Sequence, residues 1–536
     1  MQYVITELDK TLIEQRDTKR KIRITILSPE KKTLGVLTGI PQIGGFTIDA
    51  ESDIRRTTSL DIKLDDFYND IESTIESYLN LDFLVEVGIY NGMYNEQGND
   101  YVYYRMGILC ITTANTSYDA VTNILSINLS DGFAKLDNTR NGQVGGAPTI
   151  TIPVEYDGEK NTLKSAMLHV IKSETNIKDY IIDDIGEYYG MPQNNEDYLE
   201  YREKNPLWNV IPYDLEFAAG NAVAELLLEI RDLYPNCQLY FDIYNNLCFD
   251  MIPSNSKAPV MLSNDYLQSI LLAEGSEDVQ YDLSAIKNVV EVFGKMYDVD
   301  RFCETSSFAS NAYKLTLDDF TSYQSYEMIA FTASASNGAT TYVNINNLGN
   351  IPLYKEYTTE QISAGSIAKD DMVAIKVMKD LDGSYFAYYL GQYQPHALCV
   401  LTSDINDPVY TKAYFAERYN CLEKNIAFVE VKNSPFSIQR LGIVLDSKTG
   451  DEYDNIISDS VALDNAKYLI YKSSVWSDVV TINTKLIPWL DVNIKVEYKK
   501  QQENDTYIYM IKSIEHDFGN GSSSITMYRF SSLYQE

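Results

Sequence analysis

The stretch "YIYMIKSIEHDFGNGSSSITMYRFSSLY", residues 507–534, is the most informative part of the chain because a similar pattern stands near its start. Residues 101–136, "YVYYRMGILCITTANT…NILSINLSDGFAKL", have the same order of parts: a Tyr-rich strand, a polar turn, an alternating strand and a short tail. Alternation of apolar and polar residues with a period of two predicts a β-strand with one buried face. The two stretches therefore predict two related β-domains, one near each end of the chain.

A second alternating segment, "LIPWLDVNIKVEY" (residues 486–498), precedes the C-terminal stretch. It begins like a loop and then places Val492, Ile494, Val496 and Tyr498 on one face of a predicted strand. No recognisable reactive group stands beside it.

The patterns along the chain predict an α+β fold that is mainly β, with four parts. An N-terminal β-domain takes residues 1–150, and an α+β domain with a helix and a hairpin takes 151–262. A second β-domain is formed by 263–304 together with 422–536. An inserted β-domain, rich in Ser, Ala and Asn turns, takes 305–421.

The clearest helix signal is "GNAVAELLLEIRDLYP", residues 220–235, with one apolar stripe at helical spacing. Asn221 is the predicted N-cap and Pro235 the predicted stop. The following "CQLYFDIYNNLCFDMIP" predicts a hairpin with its turn near Asn245 and Asn246. "MVAIKVMKDLDGSYFAYYLG" (372–391) predicts another hairpin, with the Asp-Gly pair at its tip, and "IKNVVEVFGK" (286–295) predicts a buried strand.

Composition narrows the classes of function. The chain has 536 residues, 45% of them apolar, and a net charge of −33, so it is globular with several domains and repels phosphate. A sequence-reading nucleic-acid binder is therefore not expected. The 43 tyrosines are typical of half-buried strands and of protein–protein interfaces. Six scattered cysteines predict free thiols, and neither a signal peptide nor a membrane span is expected.

Motifs for phosphate binding, nucleophilic serine hydrolysis and zinc proteolysis do not occur in the sequence. "DSKTGDEYD" (446–454) resembles a calcium loop, but Lys448 occupies a ligand position, which favours a turn. Of the three histidines, His169 is expected to pack in a helix and His516 to be a turn residue. His396 stands three residues before Cys399, which leaves a Cys-His nucleophile as an alternative. We predict no catalytic, cofactor-binding or metal-binding residue.

Several stretches resemble tail hub proteins of bacteriophages that infect Gram-positive bacteria. They are the two segments near the C-terminus, the helix and hairpin, the strand at 286–295 and the early "TTSLDIKLDD", "YYRMGILCIT" and "INLSDGFAKL". The resemblance covers about 1–300 and 422–536, and the insertion resembles an extra β-domain of some members.

The resemblance implies a homotrimeric structural protein of the virion, at the tail tip or baseplate, made in the cytoplasm of the host bacterium. Two similar β-domains per chain imply a ring of six units, which joins a six-fold tail tube to a three-fold spike or fibre and surrounds the DNA exit channel. The implied partners are tail tube and distal tail proteins, the tape-measure protein and the tip spike or fibre. An acidic ring would let DNA pass without sticking.

Two alternatives remain open at this point. The insertion at 305–421 would be a host-surface glycan or receptor-binding module, alone or in addition to the hub role. A cell-wall hydrolase would use carboxylates of the segment "YIIDDIGEYYG", where Asp183, Asp184 and Glu187 stand among tyrosines.

Overall fold

The structure, a computed structural model, divides into two compact units: residues 1–283 with 476–536 (unit 1), and residues 284–475 (unit 2). It describes residues 4–15, 19–37, 42–63, 81–91, 100–118, 123–146, 149–153, 155–156, 159–183, 211, 215–233, 237–252, 259–272, 277–281, 286–304, 306–356, 358–432, 434–450, 453, 456, 458–473 and 478–530.

The elements are numbered in chain order. The α-helices are α1 (Glu7–Glu14), α2 (Leu163–Glu174), α3 (Val223–Asp232), α4 (Asn264–Ile270), α5 (Lys412–Tyr419), α6 (Ile438–Leu441) and α7 (Asp459–Ser473). The strands before unit 2 are β1 (Arg20–Leu27), β2 (Thr33–Leu37), β3 (Gln42–Ile43), β4 (Phe46–Asp49), β5 (Arg56–Lys63), β6 (Asp82–Tyr90), β7 (Tyr101–Tyr118), β8 (Asn123–Ser130), β9 (Thr149–Ile152), β10 (Glu155–Tyr156), β11 (Glu159–Lys160), β12 (Tyr180–Ile182), β13 (Leu215–Ala218), β14 (Cys237–Phe241), β15 (Leu247–Met251), β16 (Val260–Leu262) and β17 (Glu277–Tyr281).

The strands of unit 2 are β18 (Val289–Phe293), β19 (Arg301–Cys303), β20 (Ser306–Ala309), β21 (Ala312–Leu315), β22 (Met328–Thr332), β23 (Tyr342–Ile345), β24 (Asn350–Lys355), β25 (Met372–Lys379), β26 (Tyr385–Gln392), β27 (His396–Thr402), β28 (Ile426–Glu430) and β29 (Leu445–Lys448). Those that follow it are β30 (Asp478–Lys485), β31 (Lys495–Tyr498), β32 (Tyr507–Asp517) and β33 (Ser522–Arg529).

Unit 1 contains the same four-stranded arrangement twice. In the N-terminal β-unit (β5 to β8) the spatial order is β5-β8-β7-β6, and in the C-terminal β-unit (β30 to β33) it is β30-β33-β32-β31. All of these pairs are antiparallel. In each β-unit the first strand in the chain lies beside the fourth, as in a Greek key. The sequence similarity between 101–136 and 507–534 is therefore part of a larger structural duplication.

The two β-units share a local irregularity as well as a topology. In the hairpin of β7 and β8 the register shifts between Ile111 and Thr113, and in the hairpin of β32 and β33 it shifts between Ile511 and Ser513. Each third strand thus has one extra residue, which bends the strand and increases its twist. Because the bulge occupies the same place in both hairpins, the β-units can be superimposed residue by residue.

Strand β4 joins the two β-units into one sheet. One of its edges pairs with β5 and the other with β32, next to the place where β31 pairs with β32. A single hydrophobic core lies under both β-units, with Leu60 and Ile127 from one and Val480 and Ile525 from the other. The β-units therefore fold as one body.

A second core in unit 1 holds the α+β part of the chain. Helices α2 and α3 pack on each other and on the sheet β12-β15-β14. Helix α3 buries Val223, Leu226, Leu227 and Ile230, the apolar stripe read from the sequence. The predicted hairpin turn is also confirmed, since Asn245 has a positive φ of 61°. Asn221 is not the N-cap: that place belongs to Ala222, which makes no side-chain cap hydrogen bond.

The described strands of unit 2 form two sheets. An eight-stranded sheet takes β19 to β26, and its core includes Tyr313, Phe331 and Val373. A four-stranded sheet has the order β28-β27-β18-β29, with α7 packed on one face and α5 on the other. The hairpin predicted at 372–391 is confirmed as β25 and β26, and Gly383 at its tip has a φ of 91°.

The fold class predicted from the sequence is confirmed, since the chain is mainly β with several sheets, one of them a near-closed barrel. The four predicted domain ranges stay predictions, and the observed sheets combine strands from different ranges. One sheet of unit 1 contains β4 to β8 from residues 1–150, β16 from 151–262 and β30 to β33 from 422–536. Strand β27 was expected in the insertion, but it pairs with β18 and β28 outside that range. Strands β28 and β29 were expected with the second β-domain, but they lie in this sheet of unit 2. A pattern of alternation shows which residues form a strand and not which strand lies beside it.

Two local expectations near the C-terminus are wrong. The strand predicted to carry Val492, Ile494, Val496 and Tyr498 begins only at Lys495, and Lys495 is buried although it alternates with those apolar residues. His516 is not a turn residue, because β32 continues through it and its side chain is fully buried. Its ring forms a cluster with the rings of Phe46 and Phe518, and Nδ1 is 2.8 Å from the Ser523 hydroxyl. Tertiary packing overrides the local pattern in both cases.

We predict that His516 makes unit 1 sensitive to acid. Burial lowers the pKa of His516 from 6.5 to about 3, so below pH 6.5 the unfolded chain takes up a proton that the folded chain does not. Stability then falls by about 1.4 kcal/mol per pH unit as the pH drops toward 3. His516→Phe keeps an aromatic ring but does not titrate.

The measurement is urea unfolding of both proteins between pH 7.5 and 4.5. At neutral pH the variant should be less stable by about 1 kcal/mol, because it lacks the hydrogen bond to Ser523. The difference should shrink and then reverse on acidification. A difference that stays constant over this range would contradict the prediction.

Candidate functional site: the junction of the two β-units

The backbone of β4 forms the centre of the junction. Its four residues pair in register with Ser513 to His516 of β32, and Ile48 lies opposite Ile514. Both isoleucines are buried, as are Phe46 and its partner His516. The contact therefore combines main-chain hydrogen bonding with an apolar inner face, which is how two strands specify one register.

The side chain of Arg56 holds three segments together at this junction. It is almost fully buried at the start of β5. One terminal nitrogen donates to the Phe241 carbonyl at 2.6 Å, and the other donates to Asp491 Oδ2 at 2.5 Å. Arg56 thus connects the N-terminal β-unit, the hairpin of the α+β part and the loop that precedes β31. The planar guanidinium can bond several partners at fixed angles, which suits this task.

Asp131 binds the backbone at the same junction, next to Arg56. One carboxylate oxygen accepts the backbone N–H of Arg56 at 2.9 Å, and the other accepts the N–H of Phe133 at 3.0 Å. Burial raises the pKa of Asp131 to about 6, against the opposing effect of these two N–H donors. The end of β8 is thereby attached to the beginning of β5.

Arg55 begins a polar cluster on the neighbouring face. Its guanidinium lies 3.8 Å from the centre of the Tyr240 ring and donates to Gln238 Oε1 at 2.8 Å. Gln238 in turn donates to Asp250 at 2.5 Å and accepts from the Asn493 amide at 2.7 Å. Burial lowers the pKa of Arg55 and raises that of Asp250 to about 6. The cluster ties the hairpin of the α+β part to the C-terminal β-unit.

A cavity of about 380 Å³ opens beside these groups. Arg55, Arg56, Tyr240, Asp250 and Asp491 contribute to its wall. Arg105, Asp183 and Asp242 also line the cavity, so its wall has three arginines and four aspartates, and Arg55 and Arg56 already donate hydrogen bonds within the protein. The chemistry of the wall therefore fits structural support of the junction.

The C-terminal β-unit has a different charged centre at the equivalent place. Asp478 is the first residue of β30, as Arg56 is of β5, and it is completely buried. Its Oδ2 accepts from Lys500 Nζ at 2.6 Å and from the Tyr509 hydroxyl at 2.8 Å. Burial alone would lower the pKa of Lys500, but the hydrogen bonds to Asp478 and Glu503 raise it. Lys500 also donates to the Tyr281 hydroxyl and so helps to hold β17.

The residues considered for chemistry in the sequence are not brought together. His396 and Cys399 lie three residues apart on β27, so their side chains leave opposite faces of the strand. His396 Nε2 is 2.9 Å from Glu291 Oε1, and burial raises the pKa of the Cys399 thiol to about 12. A Cys-His nucleophile therefore has no support. His169 lies on the exposed face of α2, so the expectation that its imidazole packs inside is wrong.

Of the three carboxylate candidates, one lies within the described residues, and it lines the cavity at the junction. Asp183 follows β12 in unit 1, while Asp184 and Glu187 lie outside the described residues. In the calcium-like segment, the Lys448 ammonium lies 3.1 Å from Asp446, and part of the segment lies outside the described residues. Within the described ranges, no group of three His, Cys, Asp or Glu side chains could hold a metal ion. The absence of catalytic, cofactor-binding and metal residues stays a prediction.

Across the part of the chain that the structure covers, no helix has both the length and the apolar character needed to cross a bilayer.

Comparison with known proteins adds a distant likeness to tail proteins. A family model described as a domain of unknown function, DUF5048, matches residues 433–534, and no curated protein matches the chain. Among solved structures, the 43 kDa tail protein of prophage MuSo2 from Shewanella oneidensis is similar at 12% identity and a TM-score of 0.43, over 96% of this chain and 100% of that one.

Two further structures show a similar degree of likeness. A tail protein from Neisseria meningitidis MC58 is 8% identical, with a TM-score of 0.42, over 95% of this chain and 96% of that one. The prophage tail protein gp18 from Listeria monocytogenes EGD-e is 10% identical, with a TM-score of 0.41, over 95% of each chain. These proteins come from different bacterial genera and do not support an assignment to Gram-positive hosts. At such low similarity, residues and partners are not transferred.

Sequence reasoning missed the arginine pair at the junction. The available signal was the dipeptide Arg55-Arg56 at the start of an alternating strand. Neighbouring residues of a strand point to opposite faces, so one of two adjacent arginines must face the core. The acceptors, however, come from residues 131, 241 and 491, which are far apart in the chain.

We predict that Arg56→Ala destabilises unit 1 by about 1–3 kcal/mol, because it leaves the buried Phe241 carbonyl and the partly exposed Asp491 carboxylate without their donor. The matched control is Lys512→Ala on the bulge of β32, since Lys512 pairs at 2.8 Å with the exposed Glu51. Such a pair contributes about 0–1 kcal/mol. Urea unfolding measures both, and equal losses would show that Arg56 does not hold the junction.

Proposed function

We propose that the chain is a structural tail protein of a bacteriophage, a homotrimeric hub at the tail tip or baseplate. The observation that carries this proposal is the duplication of the four-stranded β-unit within one chain. Three chains with two such β-units each would present six similar β-units. A body of this kind can meet a six-fold tube on one side and a three-fold spike or fibre on the other, the arrangement that the sequence resemblance implies.

The charge of the chain supports the same role. A net charge of −33 makes the surface repel nucleic acid, so DNA could move through a central opening during ejection without being retained. The partners of this hub would be tail tube and distal tail proteins, the tape-measure protein and the tip spike or fibre, and its location would be the virion. The proposed role is not enzymatic, because it depends on the geometry of surfaces.

The proposal predicts the mass of the purified chain in solution. Light scattering after size exclusion should give three times 60.9 kDa, and negative-stain images should show a ring with six similar lobes. Raising the salt concentration serves as a control, because main-chain pairing with an apolar face should survive it while weak ionic association should not. A chain that stays monomeric at high protein concentration would contradict the hub.

A further inference from the structure

The duplication leaves two strand edges in unit 1 without a partner in the part of the chain that the structure describes. Strand β17 pairs with β30 and with no other described strand, so its second edge is open. Strand β7 pairs with β6 only up to Cys110, so its edge on that side is open over residues 111–118. Open edges present unpaired N–H and C=O groups, which favour pairing with another strand.

These two edges are the counterparts of edges that are already paired inside the chain. Strand β17 lies beside β30 as β4 lies beside β5, in both cases antiparallel. The open part of β7 corresponds to the part of β32 that pairs with β4, since both follow the shared bulge. The junction β4–β32 therefore shows the contact that β17 and β7 could make.

Superposition of the β-units gives the register of that contact. The bulges align Ile111 with Ile511, and hence Ala114 with Ile514. Tyr281 of β17 lies opposite Asp478, and Ile48 of β4 lies opposite Arg56. Since Asp478 and Arg56 are the first residues of β30 and β5, the superposition aligns Tyr281 with Ile48. Since Ile48 pairs with Ile514, Tyr281 should pair with Ala114. The same shift pairs Gln280 with Asn115 and Val279 with Thr116.

We propose that the free edge of β17 in one copy of the chain pairs antiparallel with residues 113–118 of β7 in a second copy. The β4–β32 contact within one chain would thus be repeated between chains. Such a head-to-tail contact uses two different surfaces and generates a ring when the rotation closes. Closure at three copies rests on the proposed function, whereas the strand pairing itself rests on the duplication.

The chemistry of the two edges fits a second copy of this chain as the occupant. Residues 113–118, "TANTSY", contain no charged residue and no proline, the features that usually protect an exposed edge. Tyr281 is 48% exposed, so its ring has area to bury against the small Ala114. On the β17 side the Tyr498 hydroxyl donates to Glu277 at 2.6 Å, and this contact holds the strand on the C-terminal β-unit. The edge is therefore presented in a fixed position.

Cysteine cross-linking of the full chain tests the register. Asn115→Cys and Gln280→Cys are made as separate variants, mixed, oxidised gently and separated without reductant. A directly opposed pair in an antiparallel ladder has Cα atoms about 4.5–5.5 Å apart, within the range of a disulfide. The offset control mixes Asn115→Cys with Asp278→Cys, whose Cα atoms would be about 7–8 Å apart. The native thiols serve as the background, since five of the six are buried.

The expected result is a linked dimer in the first mixture, about tenfold above the offset mixture because only the opposed pair satisfies disulfide geometry. Each variant alone should give none, and the double variant should give a linked trimer. Linking of Gln280→Cys with itself would show a two-fold contact and overturn the proposal. A trimer by light scattering without the linked pair would overturn this interface and leave the hub standing. A chain that is monomeric at all concentrations would overturn both.

Discussion

Hydrogen bonding at strand edges is what holds unit 1 together. A strand leaves half of its N–H and C=O groups unsatisfied unless a second strand lies on each side. Strand β4 satisfies one edge of each β-unit at once, since it pairs with β5 and with β32. The shared core of Leu60, Ile127, Val480 and Ile525 then follows, because the two sheets are continuous above it.

The charged centres show how the two β-units diverged in chemistry while keeping one geometry. Arg56 and Asp478 occupy equivalent first positions of β5 and β30, with opposite charge and with different partners. Both are buried and both are hydrogen-bonded to polar partners, as a buried charge requires. The Arg56 centre reaches into the α+β part, whereas the Asp478 centre reaches β17 through Lys500. The two β-units therefore share one backbone arrangement, while their buried charged residues connect them to different parts of the chain.

The sequence correctly predicted the helices and hairpins that are determined by a few neighbouring residues. The hairpins at 237–253 and 372–391 were predicted because Asn245 and Gly383 favour a positive φ, and α3 because its apolar stripe repeats at helical spacing. Features that depend on residues far away in the sequence were missed. His516 and Lys495 are polar residues buried by strands and rings from elsewhere in the chain, and β27 pairs with strands outside the range to which it was assigned.

The sequence alone established that the chain is mainly β and that it has one alternating hairpin near each end. It also established which helix and turns lie between them, because these depend on side-chain periodicity and backbone preference over a few residues. The folded structure adds that the two ends form one sheet through β4, that their bulges coincide and that two equivalent edges remain open among the described strands. Strand pairing joins residues hundreds of positions apart, as Ile48 and Ile514 are, and no local pattern records which edges will meet.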